Sequence, residues 1–107
     1  YHFGLDKYDV SNETDVLSIY SHAKRIISSP KVKIRVEGHT DERGSNEYNI
    51  ALGERRAKAI ESLLLLKGVD PSQINVVSYG KQKPTASGHD ENAWKLNRRA
   101  IIVYEQK

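Results

Sequence analysis

The 107-residue chain contains no cysteine and no methionine. Without thiols it has no disulfide framework, no cysteine zinc or iron–sulfur site and no thiol nucleophile. A chain lacking even an initiator methionine reads as a processed product or an excised domain, with any targeting segment expected outside it. Long apolar runs are absent as well. The four-leucine run Leu63–Leu66 falls far short of the roughly 20 residues a membrane span requires. Charge of one sign is scarce: 17 Lys plus Arg against 14 Asp plus Glu leave a net +3, too little to demand a polyanionic partner. A pI near 9.2 and the pairs Arg55-Arg56 and Arg98-Arg99 invite a nucleic-acid reading. Aromatics make up only 7%, and no basic run is interleaved with stacking side chains, so no nucleic-acid partner is expected. One arginine of each pair is expected to face a pocket and the other solvent.

What is present suits one small globular domain over residues 1–107. The hydrophobic fraction is 37% and the charged fraction 29%, with no linker, repeat or low-complexity segment to divide them. Tyr1–Leu5 reads as a short first strand. Asn12 is a helix N-cap with Asp15 at N3, and Val16, Ile19, Tyr20, Ala23, Ile26 and Ile27 follow at helical spacing until Ser28-Ser29-Pro30. Val32, Ile34 and Val36 alternate with charged residues, a half-buried strand closed by Gly38. A polar loop, His39–Asn49, leads into a second helix running to Lys67 and capped by Gly68. Asp70-Pro71 opens a single turn, Ile74–Gly80 forms a strand, Asp90–Leu96 a short capped helix and Ala100–Tyr104 a last strand. The expected class is an α+β or α/β sandwich: four strands covered by two long helices plus a short one.

The second helix carries the most informative local pattern. Advancing about 100° per residue places Leu52, Ala59, Ile60, Leu63 and Leu64 on one face and Glu54, Lys58 and Glu61 on the other. Asn49 and Arg56 fall in the middle of the apolar face. A guanidinium there is costly unless paired, and the nearest carboxylates in sequence are Asp41 and Glu42 of the preceding loop. Two readings follow. Arg56 is either an internal salt bridge pinning loop to helix, or the carboxylate grip of a half-exposed pocket. In the second case Asp41 accepts from a ligand ammonium and Asn49 orients the ligand, an arrangement suited to a zwitterion. His39-x-Asp41-Glu42 also brings an imidazole and two carboxylates into one loop. Its spacing matches no helix-borne zinc pattern, so neither metal, cofactor nor catalysis is expected.

Val36-Glu37-Gly38-His39-Thr40-Asp41-Glu42-Arg43-Gly44 continues through Glu47-Tyr48-Asn49-Ile50-Ala51-Leu52-Gly53-Glu54-Arg55-Arg56-Ala57, with Val77-Ser78-Tyr79-Gly80 and Asn97-Arg98-Arg99-Ala100 later. Over essentially its whole length the chain resembles the OmpA-like peptidoglycan-binding domains, and among them the outer-membrane lipoproteins. The resemblance implies the α+β alternative, a βαβαβ-type sandwich with a mixed four-stranded sheet, that binds the meso-diaminopimelate of the peptidoglycan stem peptide without a covalent bond. By the same resemblance Asp41 and Arg56 grip the ligand, Asn49 and Arg98 stand beside it, and Leu52 forms an apolar wall. It further implies TolB and other Tol or outer-membrane proteins as partners. The location implied is the periplasmic face of the outer membrane, held by a lipid anchor upstream of Tyr1. Family members often read Phe-Asp-Phe-Asp where this chain has Phe3-Gly4-Leu5-Asp6. Phe3 and Gly4 are therefore expected to offer backbone contacts only. Gly38 and Gly44 are expected to let the loop backbone approach the ligand.

Overall fold

Alternating apolar residues in the middle of the chain build the central strand of a three-stranded sheet. The computed structural model describes residues 1–105. Its elements are α1 (Glu13–Ile27), β1 (Lys33–His39), α2 (Asn46–Leu66), a 3-10 turn (Pro71–Gln73), β2 (Ile74–Gly80), α3 (Glu91–Asn97) and β3 (Ala100–Glu105). The strand order is β2-β1-β3. β1 runs parallel to β2, pairing Ile34 with Ile74 and Val36 with Val76, and antiparallel to β3, pairing Ile34 with Tyr104 and Gly38 with Ala100. A parallel neighbour requires a crossover, which α2 supplies.

Ile34 and Val36 point to the helical side, where they meet Ile19, Ala23 and Ile26 of α1 and Ala57, Ile60 and Leu64 of α2 in one core. Ile27, expected on the buried face of α1, is 43% exposed. The caps lie where residue chemistry puts them. Asn12 accepts from the Asp15 N–H at 3.2 Å, Asp70 from Ser72 at 2.9 Å and Asp90 from Ala93 at 3.1 Å. α2 ends in a Schellman motif: Gly68, at φ +100°, donates to the Leu65 carbonyl at 2.9 Å, and Val69 to Leu64 at 3.1 Å. Among the described residues no helix is long and apolar enough to cross a membrane.

The expected fourth strand is corrected to a single bridge, His2 opposite Arg99. Tyr1 exchanges backbone hydrogen bonds with Ala100, and Phe3 donates to the Arg98 carbonyl. The chain then leaves the sheet edge in a turn. Lys7 N–H closes on the Gly4 carbonyl at 3.1 Å, with Asp6 in the left-handed region at φ +56°, which aspartate tolerates better than most residues. The helices are 15, 21 and 7 residues, so the pair expected to be long comprises one of ordinary length and one of nearly six turns.

A glycine contact sets how α2 lies on the sheet. A Cβ on Gly38 would run into the Gly53 carbonyl oxygen. Gly38 therefore serves helix–strand packing, not the ligand approach expected of it. Immediately beyond it the β1–β2 register slips between Gly38 and His39. His39 donates to the Arg99 carbonyl at 2.7 Å and Thr40 to the Gly80 carbonyl at 2.8 Å. The loop carrying Asp41 is thus fastened to both neighbouring strands and held against the first turns of α2.

Candidate binding site

Where that loop, the first turns of α2, the Gly4–Lys7 turn and Arg98 between α3 and β3 converge, they line a cavity of about 250 Å³. Asp41, Asn49, Leu52, Arg56 and Arg98 all line it. Phe3 and Gly4 do not. Their carbonyls are taken by arginines instead, Phe3 by Arg98 Nε at 2.8 Å and Gly4 by Arg56 Nη2 at 3.0 Å.

Arg56 is fully buried on the apolar face of α2. Its Nε donates to the Lys7 carbonyl at 2.8 Å, Nη1 to His39 at 3.0 Å and Nη2 to Gly4, and its guanidinium lies 5.2 Å from the centre of the Phe3 ring. Of the two readings of Arg56, the internal salt bridge to Asp41 or Glu42 does not hold: among the described residues no carboxylate lies within ion-pair distance of it. Three backbone carbonyls take that place, because the Gly4–Lys7 turn aims two of them inward. Burial pulls the guanidinium down to about 10, with the charge of Asp41 opposing, so it remains cationic at neutral pH. Five N–H donors less three leaves two without an acceptor among the described residues.

Asp41, 4% exposed, is held by arginines on every side. Its Oδ1 accepts from Arg43 N at 3.1 Å and Nε at 3.2 Å; its Oδ2 accepts from Arg43 Nη2 at 2.7 Å and Arg98 Nη1 at 3.3 Å. Burial raises its pKa, but the hydrogen bonds from Arg43 and Arg98 outweigh it and hold the carboxyl below its ordinary value. Arg98 also bonds Glu91 at 2.7 Å. Asn49 donates to the Arg43 carbonyl at 2.7 Å and so fixes the loop to the helix. At the rim, Tyr48 OH donates to Asp6 Oδ1 at 2.6 Å.

Arg43, Tyr48, Asp6, Leu5 and Thr40 also line the cavity, and sequence reasoning did not single them out as site residues. Asp6 had a signal, since it stands at the second aspartate of the Phe-Asp-Phe-Asp run. The other loop groups diverge from the cavity. Glu42 accepts from Trp94 Nε1 at 2.7 Å and faces His89 at the same distance, and His39 faces Glu37 on the far side of the sheet. His39, Asp41 and Glu42 therefore share no centre. Arg98 and Arg99 are both buried, Arg99 donating to the Lys83 and Asn97 carbonyls, which corrects the expectation that one of that pair faces solvent.

His39 gives the fold a pH dependence. The ring stacks on Tyr79 at 5.4 Å and is 2% exposed. Burial, and then Arg99, push its pKa below 6.5 against the pull of Glu37. The unfolded chain therefore takes up a proton that the fold excludes once pH drops below 6.5, so stability should fall from pH 7 to pH 5. His2 and His22 are lowered too and add in the same sense. Glu37 and Asp41, held low, lose their contribution only below the ordinary carboxylate range. Urea midpoints at the two pH values check this, and His39→Gln should flatten part of the fall.

Residues 2–103 match the OmpA family, and the chain belongs to it. It is 50% identical over 103 residues to the peptidoglycan-associated lipoprotein of Haemophilus influenzae, a match covering 96% of this chain and 67% of that one. The protein of the same name in Pseudomonas aeruginosa is 50% identical over 95% of this chain and 60% of its own length. This chain thus spans about two thirds or less of these relatives. The crystal structure of the peptidoglycan-associated lipoprotein from Burkholderia pseudomallei superposes with a TM-score of 0.94 at 45% identity, over 97% of this chain and 87% of that one. The C-terminal domain of Helicobacter pylori MotB follows at 0.86 and 30% identity, over 99% and 83%.

Proposed function

We propose that this chain acts as one wall-binding domain, holding peptidoglycan without a covalent bond at the cavity between the Asp41 loop and α2. The observation that carries the reading is the charge arrangement: one buried carboxylate, Asp41, and three arginines, Arg43, Arg56 and Arg98, around a cavity with room for an amino-acid head group. The free end of meso-diaminopimelate in the stem peptide is such a group. Its carboxylate takes the two remaining donors of Arg56, its ammonium takes Asp41, and Leu52 and Leu5 flank its methylenes. Asn49 and Arg98 hold the frame, while Phe3 and Gly4 act through the arginines they hold. The family, and relatives named as peptidoglycan-associated lipoproteins, support the same reading. Their name supports a lipid anchor and association with the wall. The family resemblance carries the rest of the proposal: a place at the periplasmic face of the outer membrane, tethering that membrane to the wall within the Tol system, with TolB as a partner.

Two or three charge-assisted bonds, less the cost of association, correspond to roughly micromolar affinity. Calorimetric titration with a meso-diaminopimelate stem peptide tests the proposal against the lysine-type peptide, which lacks the distal carboxylate. Lysine-type peptide is expected to bind at least about tenfold more weakly, and Asp41→Asn to weaken the diaminopimelate peptide by a similar factor. Equal affinity for the two peptides would sink the assignment.

A further inference from the structure

All four acceptor positions of the Asp41 carboxylate are filled from within the chain, and two of them by the side chain of a single residue, Arg43. An ammonium reaching Asp41 must displace something. Arg98 is 7% exposed and its other nitrogens are committed to Phe3 and Glu91. The Arg43 side chain is 35% exposed, and Asp41 is not its sole support. In the same position its guanidinium lies 4.1 Å from the centre of the Trp94 ring and 4.0 Å from Glu91, so it keeps partners when it gives up Asp41. Trp94 is itself held by its bond to Glu42.

We propose that Arg43 is an internal competitor at the site, a cation that holds the Asp41 carboxylate while the site is empty and yields it only to a ligand cation. This deepens the diaminopimelate reading and rests on it. The exchange is neutral: one ion pair at Asp41 replaces another while Arg43 withdraws from Asp41 and keeps Trp94 and Glu91, so the buried carboxylate is never left bare, which would cost far more. A ligand without an ammonium leaves Arg43 on Asp41. The device therefore lowers affinity for amine-bearing ligands alone, in return for a carboxylate that stays paired in the empty site.

The residues that hold the loop do not depend on the Arg43 side chain. Asp41 keeps the backbone N–H of residue 43 at Oδ1, and Asn49 donates to the carbonyl of residue 43. Arg43→Ala therefore leaves Asp41 oriented and removes only the competitor. Two peptides are titrated calorimetrically, one built on meso-diaminopimelate and one on 2-aminopimelate, which keeps the distal carboxylate and lacks the amine. Arg43→Ala is expected to bind the diaminopimelate peptide roughly tenfold more tightly than wild type and the 2-aminopimelate peptide unchanged within about twofold. Arg43→Lys, which restores a cation, returns the first affinity toward wild type. Weaker binding of the diaminopimelate peptide by Arg43→Ala overturns the proposal, because Arg43 then holds ligand or positions Asp41. Equal tightening of both peptides overturns it too, because Arg43 then merely fills space. If wild type binds the diaminopimelate peptide and the alanine variant binds it no better, only the role of Arg43 falls. If wild type binds neither peptide, the diaminopimelate reading itself falls and this proposal with it.

Discussion

Replacing Arg56 with alanine is expected to lower stability by about 4 kcal/mol, a large part of what a domain of this size possesses. The side chain is fully buried, and its loss strands the carbonyls of Gly4, Lys7 and His39 beside a new void. Those carbonyls come from two segments far apart in sequence, so Arg56 is the tie between the Gly4–Lys7 turn and the end of β1. Arg56→Lys keeps the charge but not the planar fork that reaches three acceptors, and should cost about half as much. Urea titration by circular dichroism checks both. A midpoint for the alanine variant near wild type would mean that water satisfies the carbonyls and that the tie is dispensable. On sequence alone this substitution reads as a test of ligand gripping. Its three carbonyl partners make it foremost a stability variant, which is why Asp41→Asn is the better probe of binding.

The second large effect is expected at Gly38. Its would-be Cβ collides with the Gly53 carbonyl oxygen, a rigid backbone atom of α2, so Gly38→Ala must lift the helix off the sheet. A cost of at least about 3 kcal/mol or failure to fold is expected. Gly53→Ala meets the Ser78 hydroxyl first, a side-chain atom that can rotate at the loss of its 2.7 Å bond to the Ile50 carbonyl, so it should be milder. The ranking is the test. Equal midpoints for the two variants in denaturant would show that α2 is free to shift.

Much of the fold is legible because its signals are local. Alternation marks β1, Asn12 and Asp90 announce helix starts, and Gly68 terminates α2 by a conformation few other residues accept. The wheel of α2 brings Asn49, Leu52 and Arg56 to one side, and the cavity lies there. The misreadings share a cause. Asp41 or Glu42 is one of two readings for the partner of Arg56, and one arginine of the 98–99 pair is assigned to solvent, because carboxylates and water are the acceptors a sequence displays. The actual acceptors for Arg56 and Arg99 are main-chain carbonyls, which every residue has and no sequence marks. The reduction of the first strand to one bridge is equally hidden, since it depends on a turn with Asp6 at positive φ and on pairing with residue 99.

That pairing bears on when the cavity comes into being. Arg98 closes on the Phe3 carbonyl across 95 residues of chain, and Arg56 on Gly4 across 52. Contacts of such separation carry the greatest loop-closure entropy and form after local helices and turns. In a polypeptide emerging from its N-terminus, α1, β1 and α2 are complete while the Phe3 carbonyl still awaits Arg98. The cavity is thus a product of the nearly finished chain, and a molecule truncated before Arg98 lacks part of its lining even where it retains Asp41, Asn49 and Arg56.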